Sequence, residues 1–319
     1  MNGKNDAQTA TGQILLTGID GANLLAFLAA LGALQMLAQA WPNREVRMKW
    51  APSAGAFRPA LEWHGDDGDP LDAISDRLNE LGPETWFDRD ALNFTDKEHE
   101  QLLHSARTMA DPHLAARAAA LGAMCMPDQR KREIQWRRQP LHCLSGQQGF
   151  FKACRTIVDK TTFGHVKTAL LEPWSYADDG KGMSLRWDPI DDRRHALRWS
   201  DPSGAEQRMV RGAYRLAIEG LGMFPCLPGE RRTRTVAFHG PARALGITWL
   251  IWGIPATAET AQSLLTHPGM ALLTAEEKDR NKAKLVRSDL RARGLVAAYR
   301  SARIEPTDYA NFTPGVQVL

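Results

Sequence analysis

The longest uncharged stretch of the chain runs over residues 21–43. It is rich in Ala, interrupted by Gly32, and carries Asn23, Gln35 and Gln39, and its leading flank holds one Lys and two Asp. That pattern predicts a helix over residues 22–40, apolar on nearly every face and buried in a core, rather than a signal peptide or a membrane span. Ahead of it, a polar tail over residues 1–12 gives way to a short strand over 14–19 and a turn at 18–21. Residues 44–63 alternate loosely around a Pro/Gly break at 52–55, which predicts a hairpin. An amphipathic helix is expected over 70–81, ended by Gly82 and Pro83, with one or two helices over 96–125. Further helices are expected over 149–158, 207–223 and 257–265, and strands over 233–238 and 245–254. Residues 183–200 read as a strand pair with a loop at 188–192. Thr274-Ala275-Glu276-Glu277 has the form of a capping box and opens a helix expected to reach about residue 303. Strands and helices do not alternate regularly, so the predicted fold class is α+β, with mixed short strands, a buried N-terminal helix and a long basic C-terminal helix.

Charge divides the chain further. Residues 1–129 hold 10 Lys/Arg and 18 Asp/Glu, a net of −8, and residues 130–319 hold 30 and 19, a net of +11, which together give the overall +3. Three parts are therefore expected: an acidic α+β part over 1–129, a basic α+β part over 130–272, and a C-terminal helix and tail over 273–319. A basic part joined to an acidic one suggests a polyanion for the former and protein contacts for the latter. Cys125, Cys143, Cys154 and Cys226 form no C-x-x-C pair, so no zinc knuckle is signalled and reduced thiols in a cytoplasmic protein are expected.

The basic residues fall into stripes. Arg280, Lys284, Arg287 and Arg291 are spaced to share one helix face. Like charges at such spacing cost a few tenths of a kcal/mol each, so a phosphate backbone is one natural counter-anion and Glu276, Glu277 and Asp279 are another. Arg208, Arg211 and Arg215 share a face of the helix expected over 207–223, with Arg193, Arg194 and Arg198 just upstream; salt bridges to Asp191, Asp192 and Asp201 compete with nucleic acid there. Arg130, Lys131, Arg132, Arg137 and Arg138 surround Trp136 in a loop or frayed helix, a composition that grips strand backbones and stacks bases. Arg231 and Arg232, with Arg234, make another cationic corner.

Signatures of catalysis are sparse. No phosphate-binding glycine loop, nucleophile elbow or metalloprotease motif is present, and no cofactor is expected. Asp188, Asp191, Asp192 and His195 could hold a divalent ion, which would make the chain a metal-dependent nuclease or hydrolase; the other reading is a structural turn. Residues 144–152 (LSGQQGFFK) place Gln147, Gln148 and Lys152 at the start of a helix, where backbone N–H groups could cradle a phosphate and a Gln could touch a base edge, or where Ser145 simply caps the helix.

Three segments resemble one family. Residues 15–32 (LLTGIDGANLLAFLAALG) are similar to the opening of CRISPR-associated proteins of the type I-G branch, formerly I-U. So are Trp187-Asp188-Pro189 with Asp191-Asp192-Arg193-Arg194-His195 and on to Asp201-Pro202-Ser203, and Arg211-Gly212-Ala213-Tyr214-Arg215 with Phe224-Pro225. The resemblance implies a non-catalytic subunit of the RNA-guided Cascade complex in the large-subunit role. Its partners would be other Cascade subunits, guide RNA, target double-stranded and displaced single-stranded DNA, and the helicase-nuclease, with no membrane involved. It would help check the protospacer-adjacent motif and open the R-loop, while guide pairing reads the sequence. At 319 residues the chain is short for that role, which implies that a helical bundle for the displaced strand is reduced or supplied by another chain.

Overall fold

In the computed structural model the uncharged stretch forms a helix at the centre of the core. The structure describes residues 11–65, 68–86, 93–128, 133–144, 149–181, 183–191, 207–229, 233–274, 280–305 and 310–319. Strand β1 (Thr11–Leu15) leads into helix α1 (Leu24–Ala40), whose first turn is capped by the Asn23 carboxamide oxygen accepting from the Ala26 N–H at 3.1 Å. The hairpin β2 (Arg47–Ser53) and β3 (Ala56–His64) turns at the expected break, where Ala54 and Gly55 both have positive φ. β3 lies between β1 and β2, antiparallel to both. Met48 and Trp50 of this sheet face α1, while Lys49 and Glu62 pair at 2.6 Å on the other face, the period-two alternation of a half-buried sheet.

Helix α2 (Pro70–Glu80) starts on Asp69 with Pro at its first position, and α3 (Asp96–Thr108) and α4 (Pro112–Ala123) form the two-helix pair expected over 96–125. Thr95 and Glu98 make a complete capping box on α3. β4 (Asn93–Phe94), β5 (Cys125–Asp128) and β6 (Glu133–Trp136) form a small sheet in the order β4-β6-β5. α5 (Phe150–Lys160) and α6 (Phe163–Leu171) follow, then β7 (Asp178–Asp179), which pairs with β8 (Arg208–Met209). α7 (Arg211–Gly220) leads to the short pair β9 (Cys226–Leu227) and β10 (Arg234–Thr235). The last sheet holds β11 (Phe238–His239), β12 (Gly246–Trp252), β13 (Leu295–Ile304), β14 (Asn311–Phe312) and β15 (Val316–Gln317), with α8 (Ala258–Leu265) and α9 (Arg280–Ala292) between β12 and β13. The order is β11-β12-β13, and β14 and β15 both pair with β13.

One cluster of buried side chains draws on all three charge-defined parts of the chain. Phe27 of α1 stacks on Trp50 at 5.9 Å and meets Trp249 at 5.9 Å and Trp252 at 6.3 Å. The two β12 indoles donate their N–H groups to backbone carbonyls, Trp249 to Gly21 at 2.8 Å and Trp252 to Met48 at 2.7 Å, so these large rings are buried without an orphaned donor. α7 crosses α1 with almost no gap. A Cβ on Gly32 would lie 1.9 Å from the Leu216 carbonyl oxygen, and one on Gly220 would lie 2.7 Å from that of Leu28. Glycine is needed at both positions because backbone meets backbone there.

Several expectations are corrected. The C-terminal helix does not reach residue 303. Gly294, with φ +84°, takes the left-handed conformation that ends helices, its N–H bonds the Arg291 carbonyl at 2.9 Å, and the chain continues as β13. Its expected opening, residues 275–279, lies outside the described residues. Residues 183–191 hold a 3-10 turn at Pro189–Asp191 instead of a strand, and 192–200 lie outside the described residues. The stretch 207–210 is not helical: Arg208 and Met209 pair with β7, and α7 starts at Arg211. The strand expected over 14–19 forms earlier, as β1, and the one expected over 233–238 is split by a turn at Val236 and Ala237 into β10 and β11, which belong to different sheets. The hairpin, the strand over 245–254 and the helices expected over 22–40, 70–81, 149–158 and 257–265 form close to their predicted bounds.

Candidate nucleic-acid interface

α9 is amphipathic in an unusual sense. It buries Ala283 and Leu290 and leaves a solvent face whose charge is nearly all of one sign. At 100° per residue, positions 280, 284, 287 and 291 fall within about 60° of arc. Lys284 and Arg291 are exposed, and no described carboxylate lies within salt-bridge distance of either. Arg287, half-buried between them, donates to the backbone carbonyls of Leu273 at 2.9 Å and Val318 at 3.4 Å, so its charge is anchored without being neutralised. Arg280 is the first residue of the helix. The helix has one acidic residue, Asp289, which stands on the opposite flank and is committed to Arg293 at 2.9 Å and His267 at 3.6 Å. The row is therefore cationic and uncompensated among the described residues.

The second predicted stripe does not form a surface. Arg215 is 2% exposed. Its guanidinium pairs with Glu219 one turn on and donates to the carbonyls of Leu78 at 2.8 Å and Leu81 at 3.0 Å, which closes the C-terminal end of α2. A residue so enclosed cannot meet a phosphate chain, and its assignment as a nucleic-acid contact is withdrawn. Glu219 also accepts from His113 Nε2 at 2.6 Å. Burial pushes the Glu219 carboxyl up, but the Arg215 charge, the His113 hydrogen bond and the Arg117 charge together outweigh it and hold the group well below the usual carboxylate range. Arg211, at the start of α7, ties down neighbouring backbone, donating to the carbonyls of Lys160 at 3.1 Å and Asp179 at 3.3 Å. Arg208 is exposed on β8 and donates to the Ala177 carbonyl at 2.9 Å. Arg193 and Arg194 lie outside the described residues.

The third cluster is part strand. Trp136 ends β6, paired with Cys125, where a loop or frayed helix was expected. Arg137 is half-buried and Arg138 exposed, and their carbonyls both accept from the Thr233 hydroxyl, at 3.2 and 3.0 Å. Arg130, Lys131, Arg132, Gln147, Gln148, Arg231 and Arg232 lie outside the described residues, while Lys152 is exposed on α5.

Of the carboxylate cluster, only the Asp188 side chain belongs to the described residues. Asp188 is buried, and it accepts from the Tyr176 hydroxyl at 3.0 Å, the Asn23 amide at 3.3 Å and the Ile190 N–H at 3.1 Å. Burial raises its carboxyl above the ordinary value despite these three bonds. It ties the 3-10 turn to the cap of α1, the work of a structural turn. Asp192 and His195 lie outside the described residues. Among the described residues no helix is long and apolar enough to cross a membrane.

Sequence reasoning missed one cationic position entirely. Arg300 falls within the stretch where a helix is expected and instead projects from the middle of β13. The signal was Gly294 followed by a run with strand character over 295–304. Comparison with known proteins gives no match among protein-family models, curated proteins or solved structures.

Proposed function

We propose that this chain is a non-catalytic nucleic-acid-binding subunit of a type I CRISPR interference complex similar to the type I-G Cascade. In that role it contacts target DNA and the guide-RNA ribonucleoprotein, helps recognise the protospacer-adjacent motif and form the R-loop, and recruits the helicase-nuclease. The resemblance of three sequence segments supports the complex. The observation that carries the nucleic-acid reading is the α9 row. Lys284, Arg287 and Arg291 lie on one flank with no carboxylate among the described residues to neutralise them, and the single acid of the helix is turned away and already paired. Same-sign residues stacked at this spacing destabilise an isolated helix slightly, and a phosphate backbone relieves that repulsion.

The test is a salt titration of binding to a short DNA duplex, comparing the native chain with Lys284→Gln/Arg291→Gln. Each phosphate contact contributes about 0.9 to the slope of log K against log salt, so the double variant should lose about 1.8. Both side chains are exposed and make no hydrogen bond to described residues, so stability should stay within about 0.5 kcal/mol. A slope equal to that of the native chain removes α9 from the interface. Membership of a complex is tested separately, by whether the chain co-purifies with guide RNA of uniform length.

A further inference from the structure

The sheet corner formed by β11, β12 and β13 carries positive charge and almost no negative charge. Between Glu230 and Glu259 the sequence has four arginines and one histidine and no acidic residue, and between Asp289 and Glu305 it again has none. Arg300 stands at the centre of this corner. Its direct cross-strand neighbour on β12 is Thr248 and on β15 Val316, and β11 places His239 opposite Gly246, two residues along β12. Directly paired residues point to the same face of a sheet, so His239, Gly246, Thr248 and Arg300 share one face.

Glycine makes room for the guanidinium. A Cβ on Gly246 would lie 2.9 Å from the Arg300 Cζ, and one on Gly240 would lie 3.4 Å from its Nη2. Held there, Arg300 donates to three neutral acceptors, all at long range: the Thr248 hydroxyl at 3.3 Å and the carbonyls of His239 and Ala244 at 3.2 Å each. No described carboxylate reaches it. A guanidinium has five N–H donors. The Nε–H and one Nη1–H of Arg300 make no hydrogen bond within the described residues, and the Nε is not buried, so the Nε–H remains open to solvent. Burial partly desolvates the charge, which lowers the Arg300 pKa, and burial together with the Arg300 charge lowers that of His239. Arg243, exposed on the turn that supplies the Ala244 carbonyl, has no ion-pair partner among the described residues.

The corner also continues the α9 row. Val316 of β15 lies opposite Arg300, and the carbonyl of Val318, two residues on, accepts from Arg287. At about 3.3 Å per strand residue, the two points of attachment are roughly 7 Å apart along that segment.

We propose that Arg300, with His239 and Arg243 beside it, forms a phosphodiester-binding site that extends the cationic track of α9 across β15. The assignment of the phosphate to a nucleic-acid backbone rests on the nucleic-acid reading above; the anion site itself does not. Arg300 supplies a fixed charge and an open Nε–H donor held by the glycines, Arg243 supplies a mobile charge at the rim, and the His239 imidazole sits where a bound anion would alter its field.

His239 serves as the reporter. In the full-length chain, its ring proton resonances are followed through a pH titration with and without dimethyl phosphate, in the native protein, in Arg300→Gln and in Arg243→Gln. In the native chain the phosphodiester should raise the His239 midpoint. In Arg300→Gln the midpoint should already be raised without ligand and should no longer respond. An unmoved His239 midpoint in the native chain overturns the site, whatever α9 does. Arg300→Gln releases two backbone carbonyls and could fail to fold, so Arg243→Gln, at an exposed side chain, carries the second arm. It should bind a single-stranded oligonucleotide with a salt slope lower by about 0.7. A native slope in Arg243→Gln, with Arg300→Gln also binding the oligonucleotide normally where it folds, overturns the backbone assignment. Dimethyl phosphate moving His239 in a chain that binds no oligonucleotide supports the anion site and removes the nucleic-acid reading instead.

Discussion

Arg215 separates a structural arginine from a phosphate-binding one, and Arg215→Met makes the separation measurable. The side chain lies inside a network joining α1, α2, α4 and α7. Arg77 Nε donates to Gln39 Oε1 at 3.0 Å, which orients that amide. Gln39 Nε2 then faces His113 Nδ1 at 3.2 Å as donor, leaving His113 Nε2–H to donate to Glu219 at 2.6 Å. The second Glu219 oxygen takes Arg215. Removing Arg215 leaves the carboxylate of Glu219, a residue 1% exposed, with His113 as its one remaining described side-chain donor, and takes the guanidinium donors from the carbonyls of Leu78 and Leu81. Breaking a buried pair from one side costs about 3–5 kcal/mol. Against a total stability of about 5–15 kcal/mol that is a large share. Urea unfolding followed by tryptophan fluorescence should show a loss of about 4 kcal/mol with little change in slope, and Glu219→Gln in the same background should recover part of it by discharging the stranded carboxylate. Where Arg215→Met remains folded, its DNA salt slope should match that of the native chain. A loss under about 1 kcal/mol, or a slope lower by a full phosphate contact in folded protein, would refute the reasoning.

Two further outcomes test the core and the acid response. Gly32→Ala should cost about 3 kcal/mol or prevent folding, because its Cβ would fall 1.9 Å from the Leu216 carbonyl oxygen, while Gly222→Ala, with nothing within 4 Å, should change stability by less than about 0.5 kcal/mol; the pair of urea midpoints checks the α1–α7 contact. Burial, then the charges of Arg138 and Arg303, lower His142 to about 3. The native state therefore refuses a proton that the unfolded chain accepts below about pH 6.5, so this contribution is complete above that pH and is lost as the pH falls. Between pH 6.5 and 4.5 the native chain should lose about 2 kcal/mol more than His142→Phe, which keeps the ring contact with Phe150 at 4.9 Å; parallel losses would contradict a neutral buried imidazole.

Local physics made much of the fold readable in advance. An uncharged stretch capped by Asn23 had to be a buried helix, and alternation around residues 52–55 had to be a hairpin, because burial and turn geometry both act over a few residues. The mixed class of strands and helices followed from the same patterns. The helix expected to run to residue 303 failed for a local reason as well, since Gly294 was available to end it, and the strand beyond it is specified by partners more than forty residues away on β12. α6 and the β4-β6-β5 sheet also escaped, being short elements whose apolar positions are decided by what covers them.

The candidate site divides along the same line. Spacing alone placed Arg280, Lys284, Arg287 and Arg291 on one helical flank, because helical periodicity is a property of the chain itself. Spacing could not tell that Arg215, in a stripe of the same appearance, faces inward, because side-chain exposure depends on which helices cross and how closely. Gly32 and Gly220 bring α1 and α7 into backbone contact, and that contact encloses Arg215 with Glu219. In the same way, only the register of β11, β12 and β13 sets His239 beside Arg300, sixty-one residues away in sequence. The amino-acid order determined where the positive charges are; the packing of the elements decided which of the described ones have no described carboxylate in reach, because compensation is a matter of distance in space.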